Sequence, residues 1–421
     1  MPGRIPTYAF HLHAWKRPVW RRFFPDRRFI PVPFHLGGDA FLRDWAPRIA
    51  VDRDAEIMVW SLNAPDAVFR FAAERGVRVT CVEDGFLRSV AGHAGRTPPL
   101  SLTLDGRTPY FDGRRASDLE VLLSTHDFDA DPALLSRARD GIARIVGGGI
   151  SKYAGAAPVD AAAVYGAKTR RRILVIGQVE DDASIRYGCI PPMTNNDLVR
   201  LAAAENPEAE ILYKPHPDVL NRVRPALSDP DEVRGIARVL DMPLPLAAAF
   251  ATIDHVYTIT SLSGFEALMR GLPVTVAGRP FYAGWGLTDD RQPSERRGRR
   301  LTIEALFAGA YLLYPRYFDP DTLRPLTFEG ALDWIDAARA RSTTPSPFAA
   351  RPGWRAFGPY GLLGWRHLLP AVVSPVIARL GTAEDVAYYR AYPIDFFREV
   401  PDRRQRRLGR LLYPFDPPSE T

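Results

Sequence analysis

The sequence predicts an α/β protein built from two successive Rossmann-like halves, residues 1–165 and 166–345, facing a cleft and followed by a helical extension over 346–421. Three observations carry that expectation. Short apolar runs alternate with segments of helical period, the grammar of β-α-β units in a sheet covered on both faces. The run Ile173-Leu174-Val175-Ile176 has no polar interruption, as a strand buried on both sides requires. Polar clusters recur where the runs end, and in open parallel sheets ligands bind beyond the carboxyl ends of strands.

Taken in order, Tyr8 to Leu12 reads as a first strand and Ala14 to Phe24 as a basic amphipathic helix. Ile57 to Ser61 is a strand, and Pro65 to Arg75 a helix closed by Gly76 at its C-cap. Val77 to Val82 is a strand running into Glu83-Asp84-Gly85. Residues 113–145 read mostly as helix, with Ser117 and Asp118 as cap candidates, and the Gly- and Ala-rich stretch 147–168 as a connection. The second half opens with a strand over Arg172 to Val179, a helix over Asn196 to Glu205, and a strand over Ala209 to Tyr213. A helix over Pro245 to Ala251, a strand over His255 to Thr260, a helix over Gly264 to Arg270 and a strand over Pro273 to Ala277 complete it. From Arg299 onward the pattern turns mainly helical, with Ala383 to Phe397 the last helix read.

Composition sets the class. With 46% hydrophobic and 25% charged residues over 421 positions, the chain has the balance of a soluble globular protein. No window approaches a membrane-spanning helix, and Met1 to Pro18 holds no long apolar signal segment. Cys81 and Cys189 are the two cysteines, too few for a disulfide framework or a metal knuckle, so a reducing cytoplasm is expected. The net charge of +6 comes mostly from arginine, since only Lys16, Lys152, Lys168 and Lys214 are lysines. Clusters at Arg170 to Arg172, Arg296 to Arg300 and Arg403 to Arg407 either meet an anionic partner or are ordinary solvated charge. Nucleic acid is not expected, because no zinc-finger spacing or aromatic RNA-binding motif accompanies them.

Four polar clusters fall at predicted strand ends: Glu83-Asp84-Gly85, Gln178 to Ser184, Lys214 to Pro217, and Thr260 to Gly264. His216 follows a strand, where an imidazole can donate to a phosphate or a leaving group, or else caps a loop between two prolines. Lys214 offers a compact phosphate contact. Ser261 and Ser263 precede the Gly264 helix, so hydroxyls and free N–H groups converge on an anion-binding terminus, or simply cap it. Glu266 either binds ribose hydroxyls or complements the helix dipole. Tyr282 and Trp285 either stack on a base or pack in the core.

These clusters resemble a known family. Glu83-Asp84-Gly85-Phe86-Leu87-Arg88-Ser89, Gly177-Gln178-Val179-Glu180-Asp181-Asp182-Ala183-Ser184, Tyr213-Lys214-Pro215-His216-Pro217 and Ser261-Leu262-Ser263-Gly264-Phe265-Glu266-Ala267-Leu268 look like bacterial capsule polysaccharide synthesis proteins of the KpsC type. Arg279-Pro280-Phe281-Tyr282-Ala283-Gly284-Trp285-Gly286-Leu287-Thr288 does too, and the likeness runs from about residue 5 to 340. It implies a GT-B fold and a β-Kdo transferase that uses CMP-Kdo to extend a Kdo-bearing lipid acceptor, the linker of the capsule chain. The family usually carries two such modules in tandem, whereas each motif occurs once here, which leaves the linkage open.

The resemblance also implies net retention, most simply achieved by two inversions through a carboxylate adduct. The nucleophile is then expected in the second acidic cluster, Asp182 ahead of Asp181, with Asp84 and its neighbour Glu83 as acid/base; the reverse assignment stays open. The nucleotide sugar is expected on Gln178, Lys214, His216, Ser261, Ser263, Gly264 and Glu266. Arg88 and Arg186 are either contacts for the sugar carboxylate, since a guanidinium meets a carboxylate bidentately, or basic solvated loop positions. No cofactor or metal is expected. The tail pairs Trp354, Phe357, Tyr360, Trp365 and Leu368 with arginines, which suits either the cytoplasmic face of an anionic inner membrane or packing against the rest of the chain. A sialyltransferase-like enzyme using another CMP-sugar and a noncatalytic capsule assembly or export partner are the alternative readings.

Overall fold

A computed structural model describes residues 4–13, 16–34, 36–89, 98–152, 161–220, 227–242, 244–342, 368–380, 386, 389–390, 393–400 and 403–413. The aromatic residues Trp354, Phe357, Tyr360 and Trp365 of the tail lie outside them. The chain forms two compact units: residues 1–80 with 320–324 and 337–421, and residues 81–319 with 325–336. This division does not follow the expected boundary at 165/166, because the strand ends of both halves fall in the second unit.

In the first unit β1 (Ile5–Phe10) lies between β2 (Arg27–Pro31) and β3 (Glu56–Trp60), all parallel. Buried Ile57, Val59, Phe10 and Phe41 fill its core. The helix Asp66–Arg75 ends at Gly76 in the left-handed conformation at φ 66°, as the glycine predicted. β2 and the helices Gly38–Asp44 and Ala46–Val51 were not read from the sequence.

The strand β4 (Arg78–Asp84) starts in the first unit and ends in the second with Glu83 and Asp84 as its last residues. There it pairs antiparallel with β5 (Ser101–Asp105), an orientation the expected parallel grammar did not contain. The sheet of the second half is fully parallel, in the order β11-β10-β9-β6-β7-β8. Its strands are β6 (Arg172–Ile176), β7 (Glu210–Lys214), β8 (Arg238–Val239), β9 (His255–Thr258), β10 (Val274–Val276) and β11 (Asp289–Asp290). The chain winds outward one way from β6 through β7 to β8, then resumes on the other side with β9. The ends of β6 and β9 therefore flank a switch point, where such sheets take ligands.

The expected helical region after Arg299 contains two further strands. β12 (Arg316–Phe318) returns to pair antiparallel with β5, and β13 (Pro325–Leu326) with β12, so this stretch leaves the second half it follows in sequence. The helices Leu369–Leu380, Pro393–Glu399 and Arg403–Leu412 make up the described C-terminal extension.

Candidate active site

The sequence-predicted groups that can be placed all belong to the second unit. Glu83 and Asp84 end β4 because the β4–β5 ladder persists to Asp84, opposite Leu102. Gly85 then turns the chain so tightly against Ser101 that any β-carbon there would collide with that side chain. Asp84 Oδ1 lies 3.1 Å from Arg88 Nε, and the arginine is only 2% exposed. Arg88 is thus drawn inward to hold Asp84, and does not offer its guanidinium to a sugar carboxylate as expected. Arg186 remains exposed, its guanidinium over the Tyr187 ring at 5.3 Å.

In the second acidic cluster each carboxylate has its own fate. Glu180 accepts from the backbone N–H groups of Asn195 at 2.6 Å, Leu227 at 2.9 Å and Ser228 at 2.8 Å, tying three segments together. Asp181 and Asp182 stay exposed. Asp182 caps the helix Ala183–Gly188, its Oδ1 accepting from Ser184 N–H at 2.8 Å.

The switch point itself is closed by Gln178. Its carbonyl oxygen accepts from Thr260 N–H at 2.7 Å and its amide nitrogen donates to Thr260 Oγ1 at 3.1 Å. Asn195 clasps the Gln178 backbone on both sides, at 2.9 and 2.8 Å. Gln178 is therefore a staple between the ends of β6 and β9, its amide already satisfied, and not the free nucleotide contact that was expected.

Ser261 caps the helix Leu262–Leu268 and accepts from Ser263 N–H at 3.2 Å. Gly264 is required by packing: a β-carbon there would strike the Tyr282 ring, whose hydroxyl donates to the Ser261 carbonyl. Tyr282 and Trp285 are completely buried, so the core reading of both is the correct one. Glu266 is buried as well. Desolvation pushes its carboxyl up to about 7 against the pull of Arg270, and it accepts the backbone N–H of Lys152.

Lys214 differs from all of these. It ends β7, is 7% exposed, and burial alone pushes its ammonium down to about 8. Among the described residues no carboxylate or other acceptor meets it. His216, two residues on, is half-buried, and its carbonyl accepts from Val219 and Leu220 N–H at 3.0 Å in the turn that follows.

Two residues were missed in the sequence. Tyr110 has its phenol pushed up chiefly by burial, with Lys152 pulling it down and the charges of Glu83, Asp84 and Asp182 raising it further. Its hydroxyl donates to the Asp84 carbonyl at 3.4 Å. Lys152 also accepts from Arg88 N–H at 3.0 Å through its own carbonyl. A run of contacts thus leads from Glu266 through Lys152 to Arg88 and Asp84. The scarcity of lysine was the available signal for Lys152. Nothing local marked Tyr110.

Members of two of the arginine clusters are structural, while Arg170 and Arg171 stay exposed. Arg172 is 1% exposed and pairs with Glu210 at 2.7 Å. Arg296 and Arg297 both bind Glu120, at 2.7 and 2.9 Å, joining segments far apart in sequence. No group of three metal-ligating side chains forms among the described residues.

Acids and a buried lysine stand at or just beyond strand ends of a two-sheet α/β fold, an architecture shared with the transferases it resembles. The chain belongs to the capsule polysaccharide biosynthesis protein family, whose signature matches residues 137–317. It is 44% identical over 311 residues to the lipopolysaccharide-processing protein LpsZ of Rhizobium meliloti, covering 73% of this chain and 69% of that one. Against the capsule polysaccharide modification protein LipA of Neisseria meningitidis the identity is 38%, over 78% of this chain but 45% of LipA. Among solved structures it resembles two transferases of Thermosulfurimonas dismutans KpsC. The β-Kdo 2,4 transferase matches with TM-score 0.67 and 32% identity, covering 79% of this chain and 98% of that one. The β-Kdo 2,7 transferase matches with TM-score 0.61 and 30% identity, covering 79% and 99%.

Proposed function

We propose that the protein transfers Kdo from CMP-β-Kdo to a lipid-linked Kdo acceptor with net retention, at the cytoplasmic face of the inner membrane, in building a capsule linker. The likeness to the KpsC transferases supports the sugar. The observation that carries the reading is Lys214, a buried cation at a strand end with no counter-charge among the described residues. A protein tolerates such a charge where an anion will neutralise it, and the phosphate of a nucleotide sugar is such an anion.

In this mechanism Lys214 and His216 hold the phosphate, with the Ser261 and Ser263 hydroxyls beside it. Asp182 attacks the anomeric carbon; the bond to the phosphate oxygen breaks, and CMP departs with the electron pair. The acceptor hydroxyl then gives its proton to Asp84 and attacks the same carbon, and the ester to Asp182 breaks. Two inversions restore the original configuration. Arg186 is the remaining exposed cation for the sugar carboxylate.

Calorimetric titration with CMP tests the phosphate contact: Lys214→Met should weaken binding by roughly a hundredfold, the worth of a desolvated charge-assisted contact. Asn keeps the helix cap that Asp182 provides, so Asp182→Asn should fold normally and lose CMP-Kdo turnover by roughly 10⁴-fold or more. Intact mass spectrometry of Asp84→Asn with CMP-Kdo should trap the sugar ester. Unchanged CMP affinity in Lys214→Met together with full turnover in Asp182→Asn would sink the proposal.

A further inference from the structure

The C-terminal extension carries a surface that sugar transfer does not use. Leu368, Val372, Val376 and Leu380 are 69%, 67%, 51% and 78% exposed. They recur every four residues, in one slowly drifting row that runs from the turn at Leu368 along the helix Leu369–Leu380. The opposite side of that helix is already occupied: Ile377, with Leu369 and Val373, packs into a small core with Tyr389, Phe396, Phe397 and Tyr413. The helix Arg403–Leu412 joins the same core through Gly409, where the Phe397 ring leaves no room for a β-carbon. It too turns apolar groups outward, Leu408 at 52% and Leu411 at 76% exposure.

Both helices therefore have an inner apolar face that is packed and an outer one that stays exposed among the described residues. Isolated exposed leucines need no explanation, but a row with a fixed period does. The charged residues of these two helices are all basic. Arg379 sits next to Leu380, and Arg407 and Arg410 are exposed beside Leu408 and Leu411. Neither helix contains an acidic residue.

We infer that these outer faces dock the protein onto an anionic lipid surface, the aliphatic row entering the acyl boundary while Arg379, Arg407 and Arg410 meet lipid phosphates. The chemistry favours lipid over a second copy of the chain, because a symmetric pairing of this face would set arginine against arginine. It favours lipid over an acidic protein because the row is purely aliphatic on convex helices, whereas protein interfaces centre on aromatic side chains in pockets. No helix among the described residues is long and apolar enough to cross a membrane, so the attachment is peripheral. This inference does not depend on the transferase reading.

Co-sedimentation of the full chain with acceptor-free vesicles tests it. The wild type should bind phosphatidylglycerol vesicles at least roughly tenfold more tightly than phosphatidylcholine ones, and lose that preference in high salt. Two double variants, Val372→Asp with Val376→Asp and Arg407→Glu with Arg410→Glu, should each weaken binding by roughly tenfold or more. All four positions are exposed, so melting temperature and turnover of a soluble acceptor should stay at the wild-type level. Equal binding to both vesicle types, or variants that bind like the wild type, would overturn the inference. So would a dimer, seen by sedimentation velocity, that the aspartate variant dissolves while vesicles are ignored.

Discussion

Two strand ends in the second unit each present a buried cation, and they treat it oppositely. At the end of β4 the Arg88 guanidinium is 2% exposed and paired with Asp84 at 3.1 Å. At the end of β7 the Lys214 ammonium is 7% exposed and unpaired among the described residues. A compensated charge fixes a geometry; an uncompensated one carries a desolvation cost that a bound anion would offset. Burial alone does not tell a functional cation from a structural one. Its partner does.

Breaking the paired cation should have the largest effect. Arg88→Met leaves Asp84 inward-facing without its partner, and removing one member of a buried pair typically costs about 3–5 kcal/mol. Denaturant unfolding would measure it, and Arg88→Lys should recover only part of the loss, because a point charge cannot repeat the fork of donors. If Arg88→Met unfolded like the wild type but lost sugar affinity, Arg88 would be a substrate contact after all.

The same substitution at the unpaired cation should act with the opposite sign. Burial lowers Lys214 from 10.5 to about 8 in the folded state, so the folded protein binds this proton more weakly than the unfolded chain. The penalty is complete below about pH 8, where both states are charged, and fades as pH rises toward the unfolded value. Lys214→Met should therefore stabilise the ligand-free protein by about 3 kcal/mol at pH 7. The gain should shrink steadily between pH 8 and 10.5. A destabilised Lys214→Met would mean that the lysine serves the fold.

This contrast also marks how far the sequence could be read. The parallel second sheet, the Gly76 cap and the acids at strand ends follow from local pattern, since period and turn chemistry act over a few residues. The return of Arg316–Phe318 to pair with Ser101–Asp105 does not, because nothing in either strand names its partner. The motif residues divide the same way. Asp182, Lys214 and Ser261 sit at the ends where the local reading put them. Gln178 is spent on Thr260 and Glu266 on the Lys152 backbone, contacts made across folded distance, whereas Arg88 is spent on Asp84 only four residues before it. Arginine clusters misled for the same reason: Arg297 looks solvated until Glu120 arrives from another element.

Glu266 gives the finest test, because it lies between the two cases: buried, near Arg270, yet with one oxygen lacking a hydrogen bond. Its carboxyl is raised from 4.5 to about 7, so the folded state holds this proton more tightly than the unfolded chain does. The resulting penalty is absent below about pH 4.5, grows through the interval, and is complete above about 7. Glu266→Gln keeps an acceptor for Lys152 N–H and removes the charge, but brings an amide nitrogen that needs its own partner. The net gain should be about 1–2 kcal/mol at pH 8 and near zero at pH 4.5. Turnover should change little, because the Lys152 backbone, and with it Arg88 and Asp84, stays anchored. Glu266→Ala removes that anchor, and it should lower kcat while leaving CMP affinity intact. A loss of CMP affinity in the alanine variant would instead return Glu266 to the nucleotide contacts and dissolve the distinction between the two strand ends.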